Sequence, residues 1–322
     1  MSAQTLADRG QRLYTAIRGN ESWSIGDRIG VGLAWLAGIG LCLIAAGILG
    51  YMLVRGVQYL NVSEVFSSPQ PGLDQSETGG FLDPIQGTLI VTILGTAIAA
   101  PIGVATAVWL TEYGKPRGLA RAVESAVEIV AGTPSIVLAI FGLLVFQQGI
   151  FSWFSVTGEG ATPLGRSFII AGSLMALIAL PLIVGSTREA LYSIPRHVRE
   201  ASYALGKDRA STIRRVLLPA SRRGIGTGVV LGMGRIVGDT AIVFILLGAT
   251  LQFEPEGAVP GWDVLKGTGS TLTTYVYQNS PAGEGGSPEK AYAAAFVLLM
   301  IVLVLNFGIN LITRERQSMW GR

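Results

Sequence analysis

The chain has 322 residues, of which half are apolar, 14% are charged and 43 are glycine, a composition typical of a protein embedded in a membrane. The formal net charge of +3 comes from basic residues spread over several segments, which argues against a nucleic-acid partner. A single cysteine, Cys42, excludes an internal disulfide, and a single histidine, His197, excludes a zinc site built from histidine and cysteine.

Six apolar windows are long enough, or nearly so, to cross a hydrocarbon core of about 30 Å as helices. They cover residues 31–54, 85–110, 133–150, 167–186, 225–250 and 291–312. We therefore predict an all-α membrane protein with six transmembrane helices. The predicted transmembrane domain covers residues 31–312, between an N-terminal arm of residues 1–30 and a C-terminal tail of residues 313–322.

The basic residues predict the orientation of these spans. Lys and Arg number 19 in the segments on one side of the six windows and 4 in the segments on the other side. Because the loops that remain in the cytoplasm hold the excess of basic residues, both termini and the 187–224 loop are predicted to be cytoplasmic. The expected location is the plasma or inner membrane of a bacterial or archaeal cell, in contact with lipid.

A polar segment lies between the second and third windows. Charged and apolar residues recur there on two different sides of a helix: Arg117, Arg121, Glu124 and Glu128 on one, and Leu119, Val123, Val127 and Val130 on the other. This pattern predicts an amphipathic helix that packs at the membrane boundary or contacts a cytosolic subunit. Pro134 then predicts the start of a helix; the alternative is a helix break that directs N–H groups at an anion.

The fifth window is rich in glycine at four-residue spacing, which predicts close packing against another helix. The spaced glycines are Gly224, Gly228, Gly232, Gly234 and Gly238. Arg235 lies about ten residues into this window, near mid-membrane at about 1.5 Å per residue. An arginine at that depth is costly, so we expect it to face the interior of the bundle and to pair with Asp239, one helical turn on.

Two interpretations of this charge pair remain open. Arg235 and Asp239 either form a static ion pair that holds the helix, or Arg235 offers a site to an anion while Asp239 is its counter-ion in the empty state. A planar guanidinium suits a tetrahedral oxyanion because it makes two parallel charge-assisted hydrogen bonds. Hydrogen phosphate can also donate a hydrogen bond to Asp239, which sulfate cannot, and this favours phosphate.

The 187–224 loop holds an ordered pattern: Glu-Ala-Ser-Tyr-Ala-Leu-Gly over 200–206, nine further residues, and then Val-Leu-Leu-Pro over 216–219. Gly206 suits the end of one short helix and Asp208 the N-cap of the next. The pattern resembles the EAA loop of ABC importer permeases, with Ser202 in place of the second alanine. The resemblance implies that residues 195–218, here called the coupling segment, dock onto a separate ATPase subunit. The residues expected to serve this coupling are Glu200, which would shape the turn or contact the ATPase, Ala201, Gly206, which would permit the bend, and Pro219, at the entry to the fifth span.

The Gly-Arg-Ile-Val-Gly-Asp-Thr sequence at 234–240 is similar to a motif of the phosphate-specific (Pst) permeases, and with the Gly-Thr-Pro-Ser-Ile-Val stretch at 132–137 the similarity extends over about residues 85–312. It implies a type I ABC importer fold and a role in transport for Arg235, Asp239 and Thr240. The family usually has glutamate where Asp239 stands. The residues of this motif favour a resemblance to the PstA-like subunit of the two Pst permease types.

The same resemblance implies the partners. A second Pst-type permease subunit would complete the pathway, two ATPase subunits would bind ATP and magnesium, and an extracytoplasmic binding protein would deliver phosphate to loops near 55–84, 151–166 and 251–290. No cofactor is expected on this chain, which has no P-loop sequence and no expected catalytic site. The alternatives are a permease for sulfate or molybdate, a non-transporting scaffold or sensor, and, least favoured, an intramembrane enzyme.

Overall fold

The computed structural model describes residues 25–69, 79–156, 164–248, 262–281, 283 and 287–313. Its regular elements within these ranges are helices, so the predicted all-α fold class is confirmed. The chain divides into two units, residues 1–53 and 54–322, and the sites described below lie wholly within the second. Most of the predicted N-terminal arm, nearly all of the predicted tail and parts of the three predicted outward loops lie outside the described residues.

Four helices are long and apolar enough to cross a membrane, and each covers one predicted window. They are α1 (Ile25–Tyr59), α3 (Leu82–Val108) with its π-helical continuation (Trp109–Tyr113), α6 (Phe168–Tyr192) and α14 (Pro288–Thr313). The short helix α2 (Val62–Val65) follows α1. Because α6 continues to Tyr192, the basic loop starts about six residues later than predicted.

The fifth predicted span is a bent pair of helices, and the helix in the third predicted span forms a second bent pair with the amphipathic helix before it. Helix α4 (Arg117–Gly132) meets α5 (Ser135–Phe146) at 106°, and α10 (Arg222–Gly238) meets α11 (Thr240–Leu247) at 56°. At 12 residues, α5 is about 18 Å long, too short to cross the hydrocarbon core alone. The described helices therefore give the six predicted spans if each bent pair counts as one span.

Short helices make up the rest of the second unit. The coupling segment contains α7 (Arg196–Ala204), α8 (Arg209–Thr212) and a π-helical turn (Ile213–Leu217), and α9 (Leu218–Ala220) leads into α10. A 3₁₀ turn (Gly149–Phe154) follows α5, and α12 (Trp262–Lys266) and α13 (Leu272–Asn279) precede α14.

Helix α6 is central to the core, between α3 and α10. Met175, Ala179 and Ile183 of α6 are fully or almost fully buried, and Val91 of α3 and Ile236 of α10 belong to the same apolar cluster. A methyl group added at Gly95 of α3 would lie 3.0 Å from a side-chain carbon of Ile236. Helices can approach this closely where glycine leaves room for the neighbouring side chain.

The predicted amphipathic helix forms as α4 and packs on neighbouring helices. Its residues Ala120, Val123 and Val127 pack against an apolar cluster centred on Leu110 and Val184. Leu119 is exposed, contrary to its predicted place on the apolar side. Glu124 of α4 accepts a hydrogen bond from Arg188 of α6 at 2.6 Å. Pro134 lies at the N-cap of α5, one position before the helical residue that the sequence predicted.

Candidate functional site

The five glycines of α10 that the four-residue spacing singled out fall into two sets with different surroundings. A methyl group on Gly232 would lie 3.0 Å from Ile183 of α6, one on Gly228 would lie 3.0 Å from Ser186, and one on Gly224 would overlap the β-carbon of Ala190. These three glycines let α10 lie directly on α6, as their spacing predicts. Gly234 and Gly238 have no such neighbour within 4 Å in the described part of the chain.

Arg235 lies on the open side of α10. Its side chain is 48% exposed, and Thr227 and Leu231 are exposed on the same side of the helix. The expectation that Arg235 faces the interior of this chain's bundle is therefore wrong. The interior positions of this turn are occupied by the buried residues Ile236 and Val237, so the arginine projects from the surface of the chain.

Asp239 lies at the break between α10 and α11 and has a partner on each side of it. Its backbone is extended, with φ −86° and ψ 113°, which ends α10 at Gly238. Its Oδ1 accepts a hydrogen bond from the N–H of Ile242 at 3.0 Å, so it is the N-cap of α11. Its Oδ2 lies 3.5 Å from Nη2 of Arg235, and its side chain is 3% exposed.

This geometry confirms the predicted partner of Arg235 and corrects the predicted helix. The sequence placed both residues on one continuous fifth span, whereas the pair crosses a bend of 56°. Aspartate is among the best N-cap residues because its short side chain reaches back to the first helical N–H groups. The N-cap thus gives a physical reason for aspartate at position 239. Thr240, the third predicted site residue, begins α11 and is half-buried.

The break creates an environment that favours negative charge. The N-terminal N–H groups of α11 and the positive end of its dipole lie at the same bend as the guanidinium of Arg235. The carboxylate of Asp239 occupies part of this environment. An anion that approached from the exposed side would meet Arg235 first, because Asp239 is buried beneath it.

The coupling segment has the predicted form of two short helices joined by a turn. Gly206 has φ +73°, and its N–H donates to the carbonyl of Tyr203 at 2.9 Å. Asp208 caps α8 by accepting from the N–H of Ser211 at 3.3 Å. Pro219 lies within α9, just before α10 begins.

The outer side of α7 is open to solvent. Glu200 and Ala201 are exposed, as a docking role requires, and so are the apolar or aromatic side chains of Tyr203 and Leu205, the latter at 80%. Ser202 points the opposite way: its hydroxyl is buried and lies 2.9 Å from the hydroxyl of Thr212. The substitution of serine for the usual alanine therefore adds a link between α7 and α8.

Comparison with known proteins decides the family. Residues 99–315 match the family described as "Binding-protein-dependent transport system inner membrane component". The chain belongs to this family. It is accordingly a permease of the ABC importer class, and its helices are those of a multi-pass membrane protein.

Several relatives are Pst permeases. The permease is 32% identical to phosphate transport system permease protein PstA 1 of Mycobacterium tuberculosis, over 76% of this chain and 74% of the relative. It is 29% identical to PstC of Xylella fastidiosa, over 73% and 72% of the two chains. The resemblance found in the sequence is thus confirmed, with both Pst permease types represented at similar identity.

Two solved structures share the fold of this permease. The alginate importer structure covers 95% of this chain with a TM-score of 0.61 at 17% identity, and all of that chain is covered. The inward-facing methionine transporter MetNI covers 72% of this chain and 93% of its own, with a TM-score of 0.54 at 22% identity. These neighbours support the type I ABC importer fold.

The predicted site residues of the permease therefore lie in two places. Arg235, Asp239 and Thr240 meet at the break in the fifth span, and Glu200, Ala201 and Gly206 lie on the coupling segment. Sequence reasoning missed a third feature, the ion pair of Arg199 with Glu112. These two residues are 87 positions apart, and neither belongs to a pattern that would join them.

Proposed function

We propose that this permease carries inorganic phosphate across the membrane as one of two related permease subunits in an ATP-driven importer. The observation that carries the proposal is the position of Arg235, half exposed at a helix break where N–H groups and a helix dipole also favour an anion. The names of the Pst relatives agree with this substrate.

In this mechanism Arg235 binds the oxyanion and Asp239 sets the position of Arg235. The buried carboxylate lies 3.5 Å from Nη2 of the guanidinium, and about half of the arginine side chain stays exposed for an anion to approach. A half-exposed arginine is tolerated in a membrane only if its exposed side faces a polar pathway or a partner subunit. A second Pst-type permease facing α10 would supply the other wall of that pathway.

The same mechanism assigns ATP binding to partner subunits. We propose that a pair of ATPase subunits docks on the exposed side of α7 near Glu200, and that an extracytoplasmic binding protein delivers phosphate on the opposite side of the membrane. Alternation between outward and inward openings then requires that the two states differ in their affinity for the anion. Both termini and the coupling segment would be cytoplasmic, as the basic residues predict.

Sulfate or molybdate is the alternative substrate. All of these oxyanions are tetrahedral, so Arg235 would suit each of them. Hydrogen phosphate differs from sulfate in having a proton to donate, and Asp239 is the acceptor that the sequence predicts for it. With 3% of its side chain exposed, Asp239 can accept a hydrogen bond from the anion only if the bend opens during transport. Competition of sulfate and molybdate with phosphate for uptake therefore tests this choice of substrate.

The test is uptake of radiolabelled phosphate by vesicles that contain the assembled complex. Arg235→Gln should abolish ATP-dependent uptake while the subunits still co-purify, and Arg235→Lys should retain part of it, because lysine keeps the charge but not the planar pair of donors. Sulfate and molybdate in excess should compete weakly. Uptake that survives in the glutamine variant would make Arg235 a structural charge.

Two other results would change the proposal. If the wild-type complex carries sulfate or molybdate in preference to phosphate, the substrate is the other oxyanion. If the chain assembles with an ATPase yet carries no anion, a scaffold or sensor on the permease fold replaces the transporter.

A further inference from the structure

Arg199 of α7 makes an unusually complete set of hydrogen bonds on the inner side of the coupling segment. Its Nε and Nη2 donate to Oε1 of Glu112 at 3.2 and 3.0 Å. Its Nη1 donates to the carbonyl of Ile194 at 2.7 Å, and Nη2 also donates to the carbonyl of Leu191 at 2.9 Å. The side chain is 19% exposed, and that of Glu112 is 6% exposed.

The partners of Arg199 belong to three different parts of the chain. Glu112 lies in the π-helical turn that ends α3, and Leu191 lies in the last turn of α6, followed by Ile194 in the connection to α7. Carbonyls at the end of a helix have no partner within it, and a cation there is stabilised by the helix dipole. One guanidinium therefore joins the ends of the second and fourth spans to the coupling segment.

Two further contacts hold the same region together. Leu191 packs with Ile213 and Leu217 of the coupling segment's π-helical turn in a buried apolar cluster. The guanidinium of Arg209 in α8 lies 5.0 Å from the ring centre of Tyr113, the residue after Glu112. The coupling segment is thus fixed on its inner side and exposed on its outer side.

We propose that Arg199 is a positioning residue for transport, which ties the coupling segment to α3 and α6 so that the three move together when α7 is displaced. The inference rests on the proposed function, because displacement of α7 by an ATPase is part of it. Movement of α6 would reach Arg235 through the direct packing of α10 on α6 at Gly228 and Gly232. The ion pair itself would touch neither ATP nor the anion.

The competing explanation is that the ion pair of Arg199 with Glu112 only stabilises the fold and has no part in coupling. A matched control exists in the ion pair of Arg188 with Glu124, at 2.6 Å, which joins α6 to α4 and involves no residue of the coupling segment. Its side chains are 28% and 36% exposed. Both pairs link helices at the same end of α6, so they differ chiefly in whether α7 takes part.

The experiment compares ATP hydrolysis and phosphate uptake in the same vesicles with the whole complex. Arg199→Lys keeps the charge but not the fork of donors, and Glu112→Gln keeps an oxygen acceptor but not the charge. We expect phosphate carried per ATP hydrolysed to fall roughly tenfold in both, a size usual for coupling between sites, with ATP hydrolysis largely retained. Arg188→Lys and Glu124→Gln should leave the ratio near that of wild type.

A double variant separates folding from coupling. Arg199→Met with Glu112→Met removes both charges together and leaves neither unpaired, so the fold should be retained. The proposal requires this variant to assemble and still to have a low ratio of transport to hydrolysis. A normal ratio of phosphate carried to ATP hydrolysed in any well-assembled Arg199 variant would overturn the proposal. The ion pair would then only stabilise the fold.

A second readout does not depend on the substrate. With Cys42 changed to serine, spin labels at Ala204 on α7 and Arg117 at the start of α4 report the distance between the coupling segment and the start of α4, which follows closely on the turn that ends α3. We expect one narrow distance distribution that ATP leaves unchanged in wild type and a broad one in Arg199→Lys. If phosphate is not carried but this result holds, the proposed substrate fails, whereas the link that Arg199 makes between the coupling segment and α3 stands. Equal distributions in both proteins would refute that link and leave the proposed substrate untouched.

Discussion

Asp239 connects the two halves of the fifth span, because its Oδ1 accepts the N–H of Ile242 at 3.0 Å while its Oδ2 lies 3.5 Å from the guanidinium of Arg235. One carboxylate is therefore both the N-cap of α11 and the counter-ion of the exposed arginine. The cap needs only an acceptor oxygen, whereas the counter-ion needs a negative charge. Substitutions at this position can separate the two roles.

Asp239→Asn should keep the cap and lose the charge. Asparagine caps helices about as well as aspartate does, so the thermal stability of the purified complex should change little. Phosphate uptake should fall strongly, because Arg235 loses the group that holds it in place. Asp239→Ala should lose uptake and also about 1 kcal/mol of stability, the usual cost of a lost N-cap. If the asparagine variant transports as well as wild type, the charge of Asp239 has no part in transport.

The two sets of glycines in α10 predict opposite results for the same substitution. Gly224→Ala should lower the thermal stability and yield of the permease, because the new methyl group overlaps the β-carbon of Ala190, which cannot rotate away. Overpacking of this kind costs about 1–3 kcal/mol. Gly234→Ala has no neighbour to meet within the described chain and should leave stability unchanged or slightly raised.

The contrast also tests the proposed interface with a second permease. Gly234 lies next to Arg235 on the open side of α10, so a larger side chain there should affect assembly with the second permease or uptake rather than folding. Gly234→Leu, with its larger side chain, should show this effect as reduced co-purification of the second permease. Loss of stability in the isolated permease would show that the open side is covered within the chain itself.

Local signals made the coupling segment predictable. The turn at Gly206 and the cap at Asp208 depend on neighbouring residues only, so the sequence places them correctly. The lengths of the long spans follow in the same way from uninterrupted apolar runs. Gly238 and Asp239 also carry a helix-end and a helix-start signal, but the apolar run that continues through residues 240–247 masked the break.

Tertiary contacts account for what the sequence did not show. The exposure of Arg235 depends on which side of α10 packs on α6, and the glycine spacing was consistent with either of two sides. The link between Arg199 and Glu112 depends on how the end of α3 meets the coupling segment. Neither arrangement is fixed by residues close together in sequence, so composition and periodicity could not give it.

Ser202 should contribute to stability through Thr212, although it stands where the EAA pattern has alanine. Ser202→Ala removes one hydroxyl of a buried pair and leaves Thr212, which is fully buried, without that partner. An unsatisfied buried hydroxyl costs about 1–3 kcal/mol. Thermal unfolding of the purified complex should show the loss, and Ser202→Ala combined with Thr212→Val should recover most of it. Ser193→Ala, on an exposed serine of the same loop, is the control.

Gly206→Ala should weaken the coupling segment by straining its backbone. With φ +73° and no atom within 4 Å of an added methyl group, Gly206 is required for its conformation and not for space. A left-handed conformation costs an alanine about 1–2 kcal/mol, and asparagine adopts it more readily, so Gly206→Asn should lose less. Gly118→Ala is the matched control: Gly118 is exposed in the first turn of α4 and also has no atom within 4 Å, so alanine there should leave stability unchanged or slightly raised. Thermal stability and co-purification with the ATPase measure the two effects, and equal behaviour of Gly206→Ala and Gly118→Ala would show that the turn does not need its left-handed residue.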